Sequence, residues 1–325
     1  MKRTSLKNLL SALLLAAPLG AQEHAAPAAA ATDTAAAQVA EKVDIITPHI
    51  TDGNHLEVPW ILPPFFKEVT LPHWEPIHIG SVAIDLSPTK HVVMLWLGAA
   101  LLLTVLTLAA RAQRRATMAG KAPNGAPNAI EAMVLYIRNE VILPNVGPHG
   151  EGFVPYLLTA FFFILTLNLL GLIPYGSSAT GNISVTATMA ILTFITVEVA
   201  GIRSNGIGYL NTMFYWNNDL PIVMRPLMFL IISPVEMLGK LARPFALAIR
   251  LFANMTAGHI VVLAFMGLFF AFAGTVFTAS SLVALAPLGM AVGIMVLELF
   301  VAFLQAFIFT LLSSVFIGQM RAAHH

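Results

Sequence analysis

This sequence predicts an all-α, polytopic membrane protein with about five to six membrane helices. Three observations carry that prediction. Hydrophobic residues make up 58% of the chain and charged residues only 10%, against about 25% charged in a soluble domain. The mean hydropathy is +0.81. The apolar segments run to roughly 18 residues and beyond, long enough for spanning helices and far longer than barrel strands of about ten. The net charge of +1 argues against nucleic acid as a partner. The chain has no cysteine, which excludes disulfides and thiolate metal sites. The common nucleotide-binding, protease and esterase signatures are missing. No cofactor is expected.

The elements follow in chain order. Lys2, Arg3 and Lys7 precede a short apolar core, Leu9 to Ala17, and the small residues Gly20 and Ala21. Residues 1–21 therefore read as a secretory signal, too short to span. A signal implies a bacterial chain whose next segment lies outside the cytoplasm. Residues 22–40 read as an Ala-rich flexible linker. Residues 41–91 form an exterior, periplasmic segment rich in proline, and its scattered histidines lack metal-ligand spacing. Ile79–Asp85 alternates weakly and predicts a short strand.

The membrane domain is placed at residues 92–321. Val92–Ala110 is the first span, and Arg111, Arg114, Arg115 and Lys121 follow at once. That basic cluster puts its end in the cytoplasm. Asn128-Ala-Ile-Glu131 predicts a helix start with a capping box. Ile130, Met133, Val134, Ile137 and Val141 form one stripe of a cytoplasmic surface helix near 129–143. Phe153–Leu172 and Ile183–Val199 are the second and third spans. Leu227 to about Ala273 is too long for one crossing and holds Pro234 and Pro244, so it predicts a short helix followed by a long one. Leu282–Ile317 is the last segment, about 54 Å as a helix against a hydrocarbon core of about 30 Å. The last two segments must therefore tilt strongly, as helices wrapped around a cylindrical partner would. The N-terminus is expected outside and the C-terminus inside.

Arg250 lies within Pro244-Phe-Ala-Leu-Ala-Ile-Arg-Leu-Phe-Ala-Asn-Met-Thr-Ala-Gly-His259. A guanidinium cannot lose its proton to escape the membrane. Holding it at the centre of a lipid-exposed helix costs at least about 2.5–3.5 kcal/mol. On a helical wheel Arg243, Ala246, Asn254, Ala257 and Val261 fall within about 40° of it. One face thus carries small side chains around a cation, which lets another helix approach closely. His259 points about 180° away, about 13.5 Å further along. On the last helix Glu298 and Gln305 share a face, about 10.5 Å apart in height. If the helices are antiparallel and Gln305 is level with Arg250, Glu298 and His259 share an outer layer. Alone, His259 reads as a core histidine, Asn254 and Gln305 as interhelical hydrogen-bond glue, and Glu298 as an ion-pair partner for Arg250. Three ionisable groups at matching heights point instead to proton transport.

Arg250-Leu-Phe-Ala-Asn-Met-Thr-Ala-Gly-His259 resembles the signature of subunit a of F-type ATP synthases. Asn168-Leu-Leu-Gly-Leu-Ile-Pro174, Asn182-Ile-Ser-Val-Thr186, Glu236, Arg243 and Gln305-Ala-Phe-Ile-Phe309 also fall where that family's motifs fall. The resemblance covers roughly residues 80–320. It implies a proton-translocating stator, a channel subunit without enzyme activity of its own. Its partners would be a ring of c subunits, b-type peripheral stalk subunits, the remaining ATP synthase subunits and membrane lipid. It implies that Arg250 is the essential arginine facing the ring carboxylate, and that His259 and Glu298 are the outer-channel pair. Asn254 and Gln305 match polar neighbours of the arginine, Glu236 a carboxylate towards the exit, and Asp85 an acidic residue at the channel mouth. The runner-up reading is a stand-alone secondary transporter with an Arg-based anion site, which would usually show internal repeats. None is visible. An intramembrane enzyme finds no supporting dyad or metal motif.

Overall fold

The computed structural model describes residues 51–59, 66–79, 82–85, 87–121, 125–173, 177–209, 224–273 and 281–322. The predicted signal and linker lie outside them. All described residues belong to one unit, Ile46–His325.

Ahead of the first membrane helix the described residues hold two antiparallel hairpins. Strands β1 (His55–Pro59) and β2 (Phe66–Thr70) pair with His55 opposite Thr70. Strands β3 (Ile77–Ile79) and β4 (Val82–Ile84) pair with Ile77 opposite Ile84. The strand expected over Ile79–Asp85 is thus the second arm of a hairpin.

Helix α1 (Lys90–Met118) continues well past the predicted span and carries Arg111, Arg114 and Arg115 on its exposed last turns. It ends at Gly120, whose φ of +63° suits a residue without a Cβ. Helix α2 (Ala126–Tyr136) starts at Gly125, φ +73°, and not at Asn128. No side-chain cap forms there; Pro127 presets the first turn instead. A π-helical segment, Ile137–Ile142, and the short α3 (Leu143–Val146) follow. Ile137, Val141, Ile142 and Val146 are buried, so the apolar stripe packs on the core.

Helix α4 (Val154–Gly171) opens on Pro155 and buries Leu157, Phe161 and Ile164 at the centre of the bundle. The Phe161 ring meets Phe162 and Phe303 edge-on, with centroids 5.1 and 5.8 Å away. Helix α5 (Ile183–Asn205) is capped by Asn182, whose Oδ1 accepts from the Ser184 N–H at 2.8 Å.

Helix α6 (Met224–Ala273) corrects the sequence reading. It is one helix of 50 residues with Pro234 and Pro244 inside it, not a short helix and a long one. Each proline removes a backbone donor, which costs about 3 kcal/mol in an ordinary helix interior. Packed apolar helices tolerate that loss because neighbours and small adjustments re-satisfy the freed groups. Helix α7 (Ser281–Ala322) runs for 42 residues. At about 1.5 Å per residue both exceed the bilayer core by far. Helix α7 packs on α6, α4 and α5. Among the described residues five helices are long and apolar enough to cross a membrane, and the chain is a multi-pass membrane protein.

Candidate functional site, the α6–α7 contact

Three contacts fix the register of α6 against α7. Gln305 Nε2 donates to the Arg250 carbonyl at 2.9 Å. His259 Nδ1 lies 4.0 Å from Glu298 Oε1. The Arg243 guanidinium sits 5.3 Å above the Phe316 ring. Numbers rise along α6 as they fall along α7, so the helices are antiparallel. Gln305 is level with Arg250, and Glu298 with His259.

The α6 face turned to the core is set by Leu247, Leu251, Met255 and Gly258. The first three are buried, and a Cβ on Gly258 would lie 2.7 Å from Glu298 Oε1. At about 100° per residue this face is centred roughly a quarter-turn from Arg250. Arg250 is therefore exposed, together with Ala246, Ala253, Asn254 and Ala257. Among the described residues its guanidinium has no hydrogen-bond or ion-pair partner. The Gln305 amide is buried and holds the backbone of Arg250, not its side chain. A small, partly open cavity of about 10 Å³ beside Arg250 is lined by Leu247, Leu251, Gln305, Ile308 and Phe309.

His259 and Glu298 are enclosed, at 21% and 5% side-chain exposure. Their 4.0 Å separation is too long for a direct hydrogen bond. A motion of about 1 Å, or one water, would close it. A carboxyl and an imidazole at this spacing can pass a proton between them. Asn254 stays on the open face with Arg250. Glu236 is half-buried on α6, fourteen positions before Arg250.

Asp85 is not brought to this pair. It is exposed after β4, where its Oδ1 accepts from the Ser87 N–H at 2.8 Å. The Ser87 hydrogen bonds hold its carboxyl below the usual value. Another carboxylate of the N-terminal segment is bound to the helix ends instead. Asp52 Oδ1 lies 2.7 Å from His91 Nδ1, and Asp52 Oδ2 accepts from Asn182 Nδ2 at 3.1 Å.

Sequence reasoning also missed a polar group further along α6. Glu198 of α5, Lys240 of α6 and Tyr209 meet there. Its signal was available, since Glu198 and Lys240 are ionisable groups inside apolar segments.

Residues 92–318 match the family described as ATP synthase A chain. ATP synthase subunit a 2 of Chlorobaculum tepidum is 45% identical over 92% of this chain and 80% of its own length. ATP synthase subunit a of Chloroherpeton thalassium is 43% identical over 87% and 78%. ATP synthase subunit a 2 of Chlorobium luteolum is 41% identical over 98% and 95%. The chain belongs to the ATP synthase A chain family, the a subunits of F-type ATP synthases.

Proposed function

We propose that this subunit is the proton-conducting stator of its ATP synthase, with two half-channels that meet at Arg250. Protons enter from the periplasm past His259 and Glu298 and neutralise a carboxylate on a c-subunit ring. They ride the ring and leave to the cytoplasm on the other side of Arg250. The observation that carries this reading is the open guanidinium on a face of small side chains. Such a charge cannot be left against lipid, and the small residues admit a close helical partner. A ring carboxylate is the complementary partner, and Arg250 would favour its ionised form by proximity of charge. The same charge would block direct leakage between the half-channels.

Asn254 lies on the same face. Gln305 pins the backbone beneath Arg250. Glu236 and Asp85 are assigned to the exit side and the channel mouth. The coupling ion in this reading is the proton, since a carboxylate–imidazole pair suits proton transfer. Arg111, Arg114 and Arg115 support a cytoplasmic end for α1. On this reading the N-terminal segment lies in the periplasm, the subunit sits in the bacterial inner membrane, and residues 1–21 are its signal. The b-type stalk subunits would hold it against the ring. Family membership speaks against a stand-alone transporter.

Proton flux through vesicles containing the whole complex tests the entry pair. His259→Leu and Glu298→Leu should each slow ATP-driven pumping by roughly tenfold or more. The double swap, His259→Glu with Glu298→His, should pump better than the poorer single replacement. Parent rates in both Leu variants would make the pair structural only.

A further inference from the structure

The α6–α7 ladder continues away from His259 to a second buried polar group, about 15 Å from Arg250 along α6. The Tyr209 hydroxyl donates to Glu198 Oε2. Lys240 Nζ lies 3.4 Å from that hydroxyl and 4.5 Å above the Tyr209 ring. The ring rests on Gly201, where a Cβ would come within 2.4 Å of it. Tyr209 and Lys240 are buried, and Glu198 is half-buried. Burial and the Glu198 carboxylate push the Tyr209 phenol well above its usual value, so it remains a neutral donor.

A cavity of about 20 Å³ opens beside this group, with Thr193, Glu198, Lys240, Arg243, Phe316 and Met320 in its wall. About 10–15 Å³ is enough for one water, provided polar partners are present. Here Glu198, Lys240 and Arg243 border a space whose wall is otherwise mostly apolar. Glu236 lies one turn before Lys240 on α6. The cavity sits on the side of Arg250 opposite the His259–Glu298 pair, and Met320, in its wall, lies two residues before the end of α7.

We propose that Glu198 is a proton-accepting residue of the inner half-channel. A proton released from the ring past Arg250 passes through cavity water to Glu198 and on to the cytoplasm. Tyr209 and Lys240 position the carboxylate without carrying the proton. Only O–H bonds are made and broken, and each proton taken up by Glu198 is released again. This proposal deepens the stator reading and rests on it.

The test uses the whole complex in inverted vesicles and two replacements of opposite character. Glu198→Gln keeps the length and the hydrogen bond from Tyr209 but cannot titrate. Glu198→Asp titrates but is shorter. A proton-carrying role predicts that Glu198→Gln lowers ATP-driven pumping by roughly tenfold or more, while Glu198→Asp stays closer to the parent. A structural role predicts the reverse order, and that order or equal rates overturn the proposal. Access gives a second measure. The chain has no cysteine, so Thr193→Cys introduces a single thiol in the cavity wall. Silver ion added to inverted vesicles should then block pumping, and the parent should be less sensitive. Insensitivity of Thr193→Cys would remove the cavity from the path. Arg250→Ala and His259→Leu belong in the same series. If they lose pumping and Glu198→Gln does not, only this proposal fails. If none loses pumping, the stator reading itself fails.

Discussion

Gly258→Ala should damage proton transfer without damaging the protein. A Cβ at this position would lie 2.7 Å from Glu298 Oε1, 2.9 Å from its Cδ and 3.3 Å from its Cγ. Carbon atoms are comfortable at about 3.5–4.0 Å. The carboxyl must therefore retreat by roughly 0.6 Å or more. It is the free end of a flexible side chain, so the helices need not part, and assembly should be normal. The cost falls on geometry, because Glu298 already sits 4.0 Å from His259. A misplacement of about 1 Å at a reacting group can cost about a hundredfold in rate. We expect ATP-driven proton pumping in vesicles to fall by roughly tenfold to a hundredfold. Combining Gly258→Ala with Glu298→Asp shortens the side chain and should return part of the rate, a non-additivity expected of residues in contact. Parent rates in Gly258→Ala would refute the reasoning, since the position of Glu298 would then not matter.

Two further outcomes follow from contacts outside that pair. Arg321 donates from Nη1 to the Val146 carbonyl at 2.8 Å and from Nη2 to the Pro148 carbonyl at 2.6 Å, and it lies 5.7 Å above the Phe153 ring. Arg321→Ala should destabilise the subunit by about 1.5–3 kcal/mol, read as a lower detergent-unfolding midpoint. Arg321→Lys should recover only part, because an ammonium lacks the forked geometry; full recovery would count against the clamp. Burial pushes the Asp52 carboxyl up, but its bonds with His91 and the Gly53 N–H outweigh that and hold it below its usual value. A depressed carboxyl stabilises above its unfolded value and loses that contribution as pH falls through the folded one. Attachment of residues 51–54 should therefore be complete at neutral pH and weaken below about pH 4. Hydrogen exchange across that segment, corrected for intrinsic rates, should show it; protection that does not change with pH would exclude it.

Much of this was legible in the sequence, for specific reasons. Long apolar runs leave few alternatives to helices, so all five segments were readable. With Gln305 taken as level with Arg250, helical spacing alone put Glu298 and His259 in one layer. Pro234 and Pro244 misled, because the rule that breaks helices at proline is weaker among packed apolar helices. Asn128 and Glu131 offered a capping box, but Gly125 and Pro127 won by presetting the backbone. The β1–β2 hairpin escaped because its strands are short and join through residues of little alternation. Gln305 was expected level with Arg250; that it binds the carbonyl was not legible, since the wheel does not show that α6 turns its core face a quarter-turn away. Glu198, Tyr209 and Lys240 come from separate stretches of chain, and only packing brings them together.

The most direct test of the central claim is ATP-driven proton pumping by the assembled complex carrying Arg250→Ala. Arg250 is exposed on its small-residue face, and no other cation of α6 lies nearer than Arg243, about 10.5 Å away along the axis. Arg243 is occupied over Phe316 and cannot substitute. The account predicts an intact complex, by subunit composition, with pumping abolished. Coupled pumping near the parent rate in that complex would contradict it.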